Sequence, residues 1–185
     1  LEPIGDAFQH FERASYQVAE KLGKEVKFSM INGELKFYRP VYKPLIYSLI
    51  HAFRKAFNHC INSKIKRESK NKKPYGKIKV EFKTKTKDKK KFVLIQIEDD
   101  GNGIDPEIIG ELAVSKGLVT EDKLKTLKNE EIIQFVMTAG FSSKEEATDM
   151  SGRGVGLDAI KFEAERLKGK AWVESKPNKG SKLFV

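Results

Sequence analysis

The sequence predicts an α+β fold: a two-layer α/β sandwich in which helices cover one face of a mixed, largely antiparallel sheet. Three observations support this prediction. With 185 residues and 39% hydrophobic composition, the chain is long enough for one domain with a core of its own. Both helical and alternating apolar periodicities occur along it. The predicted strands follow one another in pairs across turns, apart from the helices, which favours antiparallel pairing.

Apolar spacing and turn residues predict the elements in chain order. A first helix over residues 6–22 places Phe8, Phe11, Val18 and Leu22 on one stripe. The elements predicted after it are strands over 26–31 and 35–38 around the turn Asn32-Gly33, a helix from Pro44 to about Cys60, strands over 77–84 and 92–98, a short helix from Pro106, a helix over 154–168, and a closing hairpin over 171–175 and 181–185.

The formal net charge of +10 is concentrated in one lysine-rich stretch, Lys64–Lys91. This stretch holds fourteen of the 36 basic residues and only three of the 26 acidic ones, so the rest of the chain is close to neutral. Thirteen of the fourteen are lysines, and Arg67 is the exception. Sequence-specific nucleic-acid binding favours arginine and stacking aromatic residues, so we expect no nucleic-acid partner. Two interpretations remain: a solvated loop and hairpin, or a docking patch for an acidic partner or membrane surface.

Composition excludes several other classes of protein. The single cysteine, Cys60, excludes an internal disulfide framework and a multi-cysteine zinc site, and we predict no structural metal. No apolar run is long enough to span a membrane, and no signal pattern precedes the first helix. We therefore expect a soluble cytoplasmic domain that is part of a longer protein.

Two glycine-rich segments indicate a phosphate-containing ligand. Asp99 follows an apolar strand, and Gly101 and Gly103 let the backbone turn tightly after it. The second segment opens directly into a helix, and its consecutive N–H groups form a nest suited to phosphate. Its residues are Ser151, Gly152, Arg153, Gly154, Val155 and Gly156. Either segment alone is also compatible with a structural loop.

A polar helix face is the third motif. His51, Arg54, Lys55 and Asn58 are spaced at i, i+3, i+4 and i+7, with His59 at the edge of the same face. Grouped His, Arg and Asn side chains suit contacts with anionic oxygens. A solvated helix face is the alternative for these positions alone, and the order of the three motifs is what favours a nucleotide site.

Together these motifs resemble the ATP-binding domain shared by histidine kinases, DNA gyrase, Hsp90 and the mismatch-repair ATPases, known as the Bergerat fold. They resemble more closely the kinase domain of chemotaxis histidine kinases, the CheA family. The segments that carry the resemblance are Leu49–Ile61, Lys116–Leu118, Asn129–Ile132, Gly140–Lys144 and Ser151–Asp158. The resemblance implies that residues 1–24 are the end of a dimerisation or linker helix and 25–185 the ATP-binding domain. Within that domain it implies a mobile ATP lid over 106–150 and a lysine-rich loop and hairpin over 62–91.

The resemblance also implies a role for each matching residue. Asp99 should accept a hydrogen bond from the adenine amino group, with Gly103 and Ser181 nearby. His51 should orient or activate the acceptor histidine, and Phe141 should anchor the lid. Residues implied to contact or enclose the nucleotide phosphates are Arg54, Asn58, His59, Ser142, Lys144, Gly152, Gly154 and Gly156, with Gly101, Ser151, Arg153 and Val155 in the same glycine-rich segments.

One position departs from the family pattern. The family has an asparagine that ligates Mg²⁺ where this chain has Lys55, and a lysine has no acceptor atom. The family's aspartate is Asn58 here, and its usual glycine is Cys60. The resemblance therefore predicts an ATP-dependent protein-histidine kinase with ATP and Mg²⁺ as cofactors, with phosphoryl transfer weakened by Lys55. The alternative is a catalytically inactive, nucleotide-gated scaffold. In the parent protein, a homodimer, the implied partners are a histidine phosphoacceptor domain, a response regulator and coupling proteins.

Overall fold

The computed structural model describes residues 1–60, 62–141 and 156–185, with side chains at all of these positions except 54–60. Its elements are β1 (Glu2–Pro3), α1 (Ile4–Lys21), β2 (Val26–Ile31), β3 (Lys36–Phe37), α2 (Arg39–Cys60), α3 (Lys64–Glu68), β4 (Gly76–Lys87), β5 (Lys90–Asp99), α4 (Pro106–Ser115), α5 (Glu121–Leu124), α6 (Asn129–Ile132) with a 3₁₀ helix (Ile133–Met137), α7 (Leu157–Arg166), β6 (Trp172–Lys176) and β7 (Gly180–Phe184). Among the helices described, none combines the length and apolarity needed to cross a membrane.

Five strands form the main sheet in the order β2-β4-β5-β7-β6. β2 runs parallel to β4, and the other neighbouring pairs are antiparallel. Helices α1, α2 and α7 pack together, and their buried side chains form a core with the sheet's apolar face. The predicted α+β sandwich with a mixed, largely antiparallel sheet is confirmed.

The core begins with α1. Phe8 and Phe11 are fully buried, and the Phe8 ring lies edge-on to Phe82 of β4 at 5.0 Å between centroids. Phe11 packs on Phe53 of α2 at 3.9 Å between centroids. Leu22, predicted on the same stripe, is 44% exposed because the helix ends at Lys21 and Leu22 lies beyond its last turn. The first helix therefore joins α2 to the sheet.

The predicted pairing of strands across Asn32-Gly33 is wrong. Both strands exist, but β3 pairs with β1 in a separate two-stranded sheet, while β2 pairs in parallel with β4. The Asn32 side chain donates to the carbonyl oxygen of Phe82 at 3.0 Å, so the turn is tied to β4 and does not fold back on β2. Parallel pairing with β4 places Val26 against the helices, where it is buried.

Helix α2 begins at Arg39, five residues before the predicted start at Pro44. Pro40 occupies its second position, where a missing N–H has no partner inside the helix. Pro44 lies one turn later, at the cost of one helical hydrogen bond. Beyond it Leu45 and Leu49 are buried, as their spacing predicts.

Candidate functional site

The candidate site is centred on Asp99, the last residue of β5. Asp99 lies on the same face of the sheet as buried Ile97 and pairs in register with Ser181 of β7. The backbone N–H of Gly101 donates to Asp99 Oδ1 at 2.8 Å, and the N–H of Ser181 also donates to this carboxyl group. We refer to residues 99–103 as the glycine loop.

The pKa of Asp99 is raised to about 6. Desolvation is the main cause, and the neighbouring charge of Asp100 raises the pKa further. The donors at Gly101 and Ser181 act in the opposite direction, because they stabilise the ionised form. At neutral pH the group is therefore a shielded carboxylate with unused acceptor capacity, suited to a neutral N–H donor such as an aromatic amine.

Close backbone contacts fix the glycine loop against the β6–β7 hairpin. Gly103 has φ +70°, and a Cβ there would overlap the carbonyl oxygen of Lys176. Gly180 has φ +97°, and a Cβ there would overlap the carbonyl oxygen of Asp99. Gly180 was not among the site residues predicted from the sequence. Ser175 adds a hydrogen-bonded link, since its Oγ accepts from the N–H of Ile104 at 2.8 Å and contacts Ser181 Oγ at 2.9 Å.

A cavity of about 780 Å³ lies beside Asp99 at this edge of the sheet. Asp99 and Ser181 line it together with residues of β6 and of the helical segment between β5 and α7. Its volume is in the range of sites for ligands of nucleotide size. Among the residues whose side chains are described, those lining the cavity include Asp99 and Ser181 but not His51.

The other predicted residues lie on α2 and at the start of α7. His51 is half-buried, and its ring packs on Tyr47 at 4.2 Å between centroids. Continuous helix through Cys60 keeps positions 51, 54, 55 and 58 on one face. Helix α7, which contacts α2, begins after Gly156, whose residue surface is buried.

Some predicted residues stand apart from these groups. Phe141 is half-buried, and Lys116 Nζ lies 5.9 Å from its ring centroid, within cation–π range. Outside the described residues lie seven of the predicted site residues: Ser142, Lys144, Ser151, Gly152, Arg153, Gly154 and Val155.

Sequence analysis missed Arg67, the residue most completely buried near the site. Its exposed fraction is 0%, so the solvated interpretation of the lysine-rich stretch is wrong at this position. Nη2 and Nη1 donate to the two carboxylate oxygens of Asp100 at 2.6 and 3.2 Å, and Nε donates to the carbonyl oxygen of Lys73 at 2.7 Å. A lone arginine among thirteen lysines was the available signal, because arginine is preferred where a carboxylate is bound in bidentate fashion.

Lys72 and Lys77 hold the same loop through its backbone and through Asp100. Lys72 Nζ donates to the carbonyl oxygens of Asp100 and Gly101 at 2.7 and 2.6 Å. The backbone N–H of Lys77 donates to Asp100 Oδ1 at 2.8 Å. We call residues 64–77 the clamp segment, since Arg67, Lys72 and Lys77 all contact the glycine loop.

Mg²⁺ is the ion that the family resemblance implies. Among the residues described, no group of three or more His, Cys, Asp or Glu side chains could hold a metal ion. The lysine at position 55 offers donors only, whereas Mg²⁺ requires oxygen ligands. The residue at position 55 does not fit a protein-held Mg²⁺, and no step of the proposed reaction passes through the ion.

Comparison with known proteins identifies the family. A sequence profile of the histidine kinase-, DNA gyrase B-, and HSP90-like ATPases matches residues 47–185, which is most of the chain and includes both Asp99 and the start of α7. The chain belongs to this family. As an ATPase domain of this type it shares its fold with the nucleotide-free catalytic domain of histidine kinase ThkA, with a TM-score of 0.52, 16% identity and coverage of 98% of this chain and 90% of that one.

Relatives of this ATPase domain include proteins that regulate bacterial motility. It is 33% identical to the chemotaxis protein CheA of Bacillus subtilis over 185 residues, which is 100% of this chain and 27% of that protein. It is 31% identical to the gliding motility regulatory protein of Myxococcus xanthus, covering 100% of this chain and 23% of that protein. The chain thus spans about a quarter of the length of these relatives.

Proposed function

We propose that the chain is the ATP-binding catalytic domain of a chemotaxis-type two-component histidine kinase. In this proposal it transfers the γ-phosphoryl group of ATP to a histidine on a separate acceptor domain. The observation that carries the proposal is the shielded carboxylate of Asp99 at the end of β5, with Gly101 and Ser181 donating to it. Family membership and the similarity to CheA over the whole chain support it.

The ionisation of the Asp99 carboxyl group explains how the site would recognise adenine. With a pKa near 6, the carboxyl group is mostly ionised at neutral pH and accepts a hydrogen bond from the exocyclic amine of adenine. Guanine and hypoxanthine carry a carbonyl oxygen at that position, which would face a carboxylate and be repelled. The direction and the negative charge of the Asp99 carboxylate would therefore select adenine over these two bases.

In this proposal the nucleotide phosphates bind at the start of α7. The start of α7 after Gly156 presents backbone N–H groups and the positive end of the helix dipole. His51 on α2 lies on the face expected to meet the acceptor histidine. During transfer the bond between the γ-phosphorus and the bridging oxygen breaks, a bond from phosphorus to the acceptor nitrogen forms, and ADP leaves with the extra charge. Such chemistry needs mainly positioning and charge stabilisation, which these elements supply.

Partners in the parent protein are part of the same proposal. In this proposal the acceptor histidine lies on a separate domain, and we expect the isolated chain not to phosphorylate itself. A response regulator would receive the phosphoryl group, coupling proteins would connect the kinase to receptors, and the parent would act as a cytoplasmic homodimer.

Lys55 favours a second candidate function. A lysine in place of the family's asparagine cannot ligate Mg²⁺, so in this second proposal nucleotide binds while transfer is slow. The domain would then act as a nucleotide-gated scaffold that relays ATP or ADP binding to its partners. Lys55→Asn in the intact parent protein separates the two functions: a large gain in acceptor phosphorylation supports an impaired kinase, and unchanged, negligible phosphorylation supports the scaffold.

Calorimetric titration with a non-hydrolysable ATP analogue, once with Mg²⁺ and once with EDTA, tests nucleotide binding. Binding only with Mg²⁺ would support the kinase, and similar binding in both solutions would support the scaffold, with Lys55 in place of the ion. Asp99→Asn should abolish binding, while Lys85→Gln at an exposed position far from the loop should leave it unchanged. Absence of binding by the unaltered chain in both solutions would contradict the proposed function.

A further inference from the structure

The clamp segment and the glycine loop are joined by a dense set of contacts. Arg67 donates three hydrogen bonds, two of them to Asp100, while its side chain is fully shielded from solvent. The Asp100 side chain keeps 32% of its surface exposed, but bidentate pairing with a fully buried guanidinium fixes the two partners in distance and in angle. Asp100 therefore has one orientation available, and its direct neighbour in the chain is Asp99.

The contacts continue from Arg67 to the carboxyl group of Asp99. Asp100 is held at its side chain by Arg67, and at its carbonyl oxygen by Lys72. Lys72 also holds the carbonyl oxygen of Gly101, and the N–H of Gly101 donates to Asp99 Oδ1. Each bond in this series constrains the peptide planes on either side of Asp100, and so constrains the direction in which the Asp99 carboxylate points.

We infer that Arg67 is a positioning residue for recognition of the adenine base, acting through Asp100 to aim the carboxylate of Asp99. The inference rests on the proposed function and assigns a task to the clamp segment. Arg67 does not touch the nucleotide. It sets the selectivity of the residue that does.

Charge gives Arg67 a second effect on the same group. Asp99 and Asp100 are adjacent carboxylates, and the charge on Asp100 disfavours ionisation of Asp99. Arg67 neutralises Asp100 at 2.6 Å. Removing the guanidinium would leave the charge on Asp100 less compensated, so Asp99 would be less fully ionised as well as less well directed.

The residues between α2 and the clamp segment also contact the glycine loop. Asn62 is buried, lies two residues beyond that helix, and donates from Nδ2 to Asn102 Oδ1 at 2.6 Å. Lys70 Nζ approaches the same oxygen at 3.4 Å. The connection between α2 and β4 thus forms hydrogen bonds with three successive residues of the glycine loop, Asp100, Gly101 and Asn102.

A pair of ligands that differ at one group tests the inference. ATP has an amine at position 6 of the purine, and inosine triphosphate has a carbonyl oxygen there, while the ribose and phosphates are identical. We expect the unaltered chain to prefer ATP, as measured by calorimetry. Arg67→Lys and Arg67→Met should reduce that preference by about tenfold to a hundredfold, the value of one hydrogen bond to a charged acceptor. Affinity for inosine triphosphate should not fall, because the phosphate contacts persist and its carbonyl oxygen gains nothing from an aimed carboxylate.

Controls separate positioning from general loss of structure. Lys85→Met, at an exposed position, should keep the preference of the unaltered chain. If Arg67→Met does not fold, Asp100→Asn and the double variant Arg67→Lys with Asp100→Asn complete the test. In the Asp100→Asn background, Arg67→Lys should reduce the preference for ATP little further, because the ion pair through which Arg67 acts on Asp99 is already lost.

Two results would overturn the inference. One is an unchanged ATP preference in folded Arg67 variants. The other is an equal loss of affinity for both nucleotides, which would indicate a structural role only. If instead the unaltered chain binds neither nucleotide, the proposed function itself fails, and the two failures are thereby distinguished.

Discussion

The two parts of the lysine-rich stretch have similar composition and opposite structural roles. In the clamp segment, residues 64–77, Arg67 is fully buried and Lys72 is half-buried against the glycine loop. In the hairpin tip, which we define as residues 83–91, every residue is exposed. Net charge therefore does not tell which basic residues serve the site.

The difference comes from what lies beside each part. The clamp segment passes the end of β5, where a carboxylate and two carbonyl oxygens are available as acceptors. The hairpin tip extends past its neighbours, because β2 pairs with β4 only as far as Glu81 and β7 pairs with β5 only from Gln96 onward. Its lysines have few acceptors within reach and stay in water. Cations become structural where the fold supplies unsatisfied oxygens.

The largest expected contrast is between Arg67→Met and Lys85→Met. Removing the buried guanidinium leaves the partly exposed Asp100 without its main partner, and we expect a loss of about 2–3 kcal/mol in the free energy of unfolding. The same change in the exposed tip should stay within about 0.5 kcal/mol of the unaltered chain. Urea denaturation at pH 7 measures both. Equal effects would mean that the two parts do not differ energetically.

A second contrast uses pH, since Asp99 lies in the loop that the clamp segment holds. Its pKa is raised to about 6 from an ordinary value of 3.8, so between these values the folded state keeps a proton that the unfolded state has lost. Stability should therefore fall as pH rises from about 4 to 6 and level off above. Asp99→Asn should remove this fall and raise the free energy of unfolding at pH 7 by about 2 kcal/mol, while abolishing ATP binding. Denaturation series at pH 4, 5, 6 and 7 test it, and a variant no more stable than the unaltered chain at pH 7 would contradict it.

How much could be predicted from sequence follows the range of the interactions involved. Apolar spacing predicted α1, α2 and the antiparallel strands, because local periodicity reflects which face is buried. The position of Asp99 after a strand and before two glycines was also readable locally. Pairing of β2 with β4 was not, since it depends on which strand edge is free after folding. The burial of Arg67 was not either, because its partner Asp100 lies 33 residues away along the chain.

A smaller effect is expected at Lys72. Lys72→Met removes two hydrogen bonds to backbone carbonyl oxygens of the glycine loop but leaves the Arg67–Asp100 pair in place. We expect a loss of about 1 kcal/mol in unfolding free energy, the usual net value for such bonds near a surface. Lys87→Met in the hairpin tip is the matched control and should show no measurable change. A loss as large as that of Arg67→Met would mean that Lys72, and not Arg67, is the main support of the loop.

The smallest expected effect has the opposite sign and lies in the hairpin tip. Asp88 and Lys89 form the two-residue turn between β4 and β5, with φ of +50° and +60°. Positive φ at both positions is the geometry of a type I′ turn, which favours glycine at the second position. Lys89→Gly should therefore stabilise the chain by about 0.5–1 kcal/mol and leave ATP affinity unchanged.

The reverse exchange in the glycine loop, Gly103→Lys, should be strongly destabilising, because φ there is +70° and a Cβ would overlap the carbonyl oxygen of Lys176. Urea denaturation measures both changes in the free energy of unfolding. A higher value for Lys89→Gly and a lower value for Gly103→Lys would show that backbone geometry alone determines the effect at the tip, whereas close contact with the β6–β7 hairpin also contributes in the glycine loop.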